Sequence, residues 1–208
     1  MSALSETIAR EYFEHHGFLV SQERKYISHV RREDEEIDFL VVNSAYEPAK
    51  TALPFELRTR DLVHVGRAVV VVKGWHSETF SPSLLVTSPE LFRFLEPAAL
   101  KQREQVFPHH GPLRKIMVLP ALPATDELRQ ASIEFLQSKG LDGVIPFRLM
   151  LQDLIDGVQA NRNYQKSDLL QILRILKINE FFREPQLDLF NAPRRRRAKK
   201  KPSAAGES

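Results

Sequence analysis

Apolar and polar positions alternate along this chain in two periods. Leu4, Ile8 and Tyr12, with Ala9, Phe13 and His16, fall on one helical face, and Gly17 offers a left-handed stop. Phe18-Leu-Val opens a strand that runs toward Tyr26, and Ile37–Val42 reads as a second. The segment 43–66, holding Pro48 and Pro54, is an excursion between strands, with a short extended piece at Phe55–Arg58. Arg67–Trp75 (R-A-V-V-V-V-K-G-W) then gives four valines in a row. Such an unbroken β-branched run predicts a strand covered on both faces, and the strand is placed at Val69–Lys73. Ser88-Pro89-Glu90 starts a helical pattern that continues, with an interruption at Pro97, to Phe107. Lys115–Leu119 is another strand, followed by a helix capped by Thr125 and stopped at Gly140. Val144-Ile145 is a short strand leading into a helix over Phe147–Val158, and Ser167 caps a last apolar helix to Phe182.

This order predicts an α/β (α+β) architecture with helices flanking a mixed sheet. The strands at 115–119 and 144–146, joined through a helix, are expected to be parallel neighbours with a right-handed crossover. The domain is expected to take residues 1–183, with 184–208 as a flexible tail.

Charge divides the same way. The formal net charge is +3, but the segment from Ala192 holds seven Lys or Arg against one Glu, so the rest carries about −3. There is no cysteine, which excludes disulfides and thiolate metal sites and suits a reducing cytoplasm. No apolar run approaches the ~20 residues of a spanning helix, and no signal-peptide pattern opens the chain.

Two residues stand out against the apolar pattern. Asp38 places a carboxylate inside a strand, where a charge needs a cation or donors. Lys73 ends the valine strand, on the same face as Val71, where its ammonium calls for an anion. With Glu6 on the first helix, Asp38 heading the second strand and Lys73 ending the third, the chain resembles the PD-(D/E)xK nuclease superfamily. That resemblance implies a restriction endonuclease-like fold, a metal site at Asp38 and Glu6, and Mg²⁺- or Mn²⁺-dependent phosphodiester cleavage assisted by Lys73. The sequence departs from the pattern two residues before Lys73, where Val71 replaces the second acid. Either the acid has moved, with Glu36 and Glu56 as alternatives, or the domain binds DNA or a repair partner without cutting.

The tail carries its own signals. Gln186-Leu187-Asp188-Leu189-Phe190 resembles the pentapeptide by which bacterial proteins bind the β sliding clamp: apolar anchors and one amide on an extended backbone. Arg194, Arg195, Arg196, Arg197, Lys199, Lys200 and Lys201 follow, a run suited to phosphate backbones through counterion release. Together these imply a bacterial, nucleoid-associated protein of DNA replication or repair that binds DNA and clamp. A clamp-binding regulator with no DNA chemistry is the remaining alternative.

Overall fold

The computed structural model describes residues 3–22 and 37–182. Glu36, the clamp-like pentapeptide and the basic run lie outside the described residues.

The chain is a mixed α/β fold around one sheet. Helix α1 spans Ala3–His15. It is followed by β1 (Phe18–Gln22) and β2 (Phe39–Asn43), which pair antiparallel. β3 (Arg67–Val72) lies antiparallel to β2 and parallel to β4 (Leu113–Leu119), which is parallel in turn to β5 (Gly143–Pro146). The sheet order is β1-β2-β3-β4-β5, so the three parallel strands end along one side of the sheet, where β2 begins.

The valine run behaves as its composition dictates. Every residue of β3 is buried, with Val70 and Val72 facing one apolar layer and Val69 and Val71 the other. Full burial of one such side chain stabilises by roughly 1.5–3 kcal/mol, so this strand is the natural centre of the sheet. The first layer is covered by α1, by α5 (Phe147–Gly157) and by α6 (Asp168–Ile178). The second is covered by α2 (Pro82–Thr87), α3 (Pro97–Glu104) and α4 (Asp126–Ser138).

Some elements differ from the sequence reading. The pattern starting at Ser88 is not one helix: a 3₁₀ turn at Pro89–Leu95 comes first, and Pro97 starts α3 anew. Proline fits the first turn of a helix but not its interior, which explains the break. α2 is an extra short helix, capped by Ser81 Oγ accepting from the Leu84 amide at 3.4 Å. Thr125 occupies the N-cap of α4 without a side-chain hydrogen bond, whereas Ser167 does cap α6, accepting from the Leu170 amide at 3.2 Å. α6 ends at Ile178, short of Phe182.

The excursion after β2 reaches farther than the sequence suggests. The Leu57 amide donates to the Val144 carbonyl and the Val144 amide to the Phe55 carbonyl, at 2.9 and 2.8 Å. Residues 55–57 therefore line the outer edge of β5, across the sheet from the β2 they follow. No helix among the described residues is long and apolar enough to cross a membrane.

Candidate functional site

Asp38 stands immediately before β2, at the side of the sheet where β3 ends. Its amide donates to the Val70 carbonyl at 3.1 Å, and its carboxylate Oδ2 accepts from the Val72 amide at 2.6 Å. The carboxylate thus completes the β2–β3 ladder where backbone pairing runs out, and one of its oxygens is committed to that bond. Lys73 is the next residue, anchored by its amide to the Val118 carbonyl at 2.9 Å. Asp38 is 1 % exposed and Lys73 7 %, so both charges sit below the surface. Burial on this scale demands compensation, and neither is without a partner.

α1 brings its first turn to the same end. Glu6 is half-buried and accepts from Gln22 Nε2 at 3.3 Å, and Gln22 lies opposite Phe39, next to Asp38. The neighbouring Ser5 is buried and shares a hydrogen bond of 2.9 Å with His76 Nε2, while the His76 ring packs edge-on against Phe147 at 4.6 Å. Gly74 makes this approach possible: a Cβ there would lie 2.7 Å from Ser5 Oγ. Glu6, Asp38 and Lys73 are therefore gathered at one end of the sheet. Ser5 carried no signal in the sequence, being an ordinary polar residue of a helix turn.

The proposed second acids fare differently. Val71 is fully buried in the apolar layer with Phe80, Leu85 and Met117, so no donor enters from that position. Glu56 pairs across to Val144, and its carboxylate is held by the Arg129 guanidinium. Four strand spacings separate it from Asp38, roughly 19 Å, which removes it from this site. Among the described residues no three His, Asp or Glu side chains gather as a metal-binding group. Mg²⁺ fills most of its shell with water, so the count that bears here is of carboxylates: the described residues bring Glu6 and Asp38 to this end, the latter with one oxygen committed to the Val72 amide.

A second concavity lies along the same side of the sheet. The ends of β4 and β5 open into a cavity of about 590 Å³ bounded by Pro120, Pro146, Arg129, Arg148, Gln152 and Asp153, among others. Asp153 on α5 ties its wall together, accepting from His16 Nε2 at 2.5 Å and from Thr59 Oγ1 at 3.0 Å. Tyr12 lies behind Thr59, and burial pushes its phenol well above the usual range, so it stays protonated. The neighbouring His15 is shifted down, by burial first and by His16 second.

Family models, curated proteins and solved structures all yield no match to this chain.

Proposed function

We propose that this chain is a DNA-processing protein of replication or repair. In this reading a nuclease-like domain meets DNA where Glu6, Asp38 and Lys73 gather, and the residues from Gln186 to Phe190 tether it to a bacterial sliding clamp. The observation that supports it is the junction of Asp38 with the Val72 amide, one residue before Lys73. Tethering would raise the local concentration of the domain on DNA without any new contact in the domain itself.

The reading has two versions, which differ in whether the phosphodiester is cut. Val71, fully buried where the second acid belongs, favours the version that holds DNA without cutting it. In that version the basic run supplies positive charge toward phosphate, and Asp38 keeps the end of the sheet in order. The test is incubation of the full chain with branched, nicked, single-stranded and duplex DNA, with and without Mg²⁺ or Mn²⁺. The expected result is a retarded complex and uncut DNA. Metal-dependent cleavage would instead favour the cutting version, with Glu36 supplying the missing carboxylate.

The basic run gives a separate expectation. Deleting residues 194–201 removes seven cations, so DNA affinity should fall and the slope of log affinity against log salt should flatten. The loss should be alike for sequences of equal length, because phosphate contacts carry no base information. An unchanged slope in titrations at several salt concentrations would mean that the run does not touch DNA, and would leave the clamp-binding regulator as the better reading.

A further inference from the structure

The cavity at the ends of β4 and β5 takes no part in the function proposed above, yet its lining combines apolar and hydrogen-bonding groups. Pro120, Ala121, Leu122, Pro146 and Leu149 make an apolar slot. Hydrogen-bonding groups of both kinds line the same cavity. Gln152 Nε2 donates to the two Asp156 oxygens at 3.0 and 3.1 Å, leaving the Gln152 carbonyl without a partner among the described residues. Arg129 is paired with Glu56, while the exposed Arg148 has no partner among the described residues.

This combination selects a class of ligand. An anionic group seated inside would meet three carboxylates, Glu56, Asp153 and Asp156, against two guanidinium groups, so a neutral group suits the interior and a phosphate only the exposed Arg148. A purely apolar ligand would cover the Gln152 carbonyl and leave it without a partner, which costs about 1–3 kcal/mol. A nucleobase satisfies both kinds of lining, having flat apolar faces and an edge of alternating donors and acceptors. The volume is within the range of ordinary ligand cavities, about 300–1,000 Å³. Position agrees as well. Lys73 is level with Leu119, and Leu119 pairs with Pro146, so two strand spacings, roughly 10 Å, separate the lysine from the cavity mouth. One or two nucleotides cover that distance.

We propose that the cavity receives an unstacked base of single-stranded or locally opened DNA, with Arg148 on its phosphate. This rests on the DNA-binding reading above and adds a preference for unpaired nucleotides. Single strands would enter most readily, since a base already free of its partner costs least to unstack.

The full chain should be titrated with a single strand carrying 2-aminopurine, whose emission rises on unstacking, and with a fully paired duplex of the same sequence. Wild type is expected to raise the emission on the single strand. Gln152→Ala, which alters an exposed side chain, should remove most of that rise and weaken single-strand binding about tenfold. Leu149→Trp, which fills the slot, should do the same, and neither variant should change duplex affinity. Single-strand binding unaltered in Gln152→Ala and Leu149→Trp, or lost equally on both DNAs, overturns the cavity assignment while the DNA reading stands. Wild type that binds neither DNA overturns both.

Discussion

Replacing Leu189 and Phe190 together with alanine should abolish binding to a bacterial sliding clamp, a loss of at least ~100-fold by the usual weight of two buried anchors. A peptide spanning residues 183–193 should bind the clamp by itself, because an extended segment of this kind needs only its own backbone and side chains. Gln186→Ala should weaken the complex through one lost polar contact, and Asp188→Ser should be tolerated. Calorimetry or surface plasmon resonance with purified clamp reads these effects directly. The melting temperature of the double variant separates this account from its competitor. If Leu187, Leu189 and Phe190 packed on the domain, the same substitutions would lower thermal stability and the free peptide would show no affinity.

Asp38→Ala should destabilise the domain by about 1–3 kcal/mol, because it leaves the buried Val72 amide without its acceptor. Asp38→Asn keeps an oxygen that can take the same N–H, so its cost should be smaller although the charge is gone. Denaturant unfolding of the two variants checks the difference, and equal midpoints for alanine and wild type would remove Asp38 from the ladder. The comparison matters for any activity assay. Loss of function in the alanine variant alone would report damage to the sheet, whereas loss in a stable asparagine variant would report the carboxylate's charge.

The framework of the sheet was legible because burial on both faces writes itself as unbroken apolar runs. Val69–Val72 and Ile116–Leu119 are such runs, and a helix between two of them implied the parallel β4–β5 pair that the register bears out. The short elements were less legible. One turn of helix at Pro82–Thr87 has too few residues for a period, and pairing of residues 55–57 with β5 is a tertiary choice with no local mark. The last helix shows the same limit. Leu170 and Leu173 enter the core, but Ile172, Ile175 and Ile178 remain exposed, although all five read alike as apolar.

The candidate site divides similarly. Asp38 and Lys73 were conspicuous because a charge inside an apolar strand is expensive, and that signal belongs to the residues themselves. Their meeting at one end of the sheet comes from the antiparallel register of β2 on β3. The hydrogen bond from the Val72 amide to Asp38 has no counterpart in the pattern, nor does the contact of Ser5 with His76. Arg129, Arg148 and Gln152 look in sequence like the solvated faces of two helices. Only the ends of the parallel strands bring them around a common cavity.

The strap at residues 55–57 also bears on how the molecule avoids its own kind. β5 has only four residues and would otherwise close the sheet with a row of open amides and carbonyls, the surface on which a foreign strand can add. Phe55 and Leu57 occupy that row, Glu56 is held by Arg129 on one face of the sheet, and Thr59 is bonded to Asp153 on the other. The border of the sheet is therefore riveted from both sides, and a strand too short to hold an edge becomes an interior one.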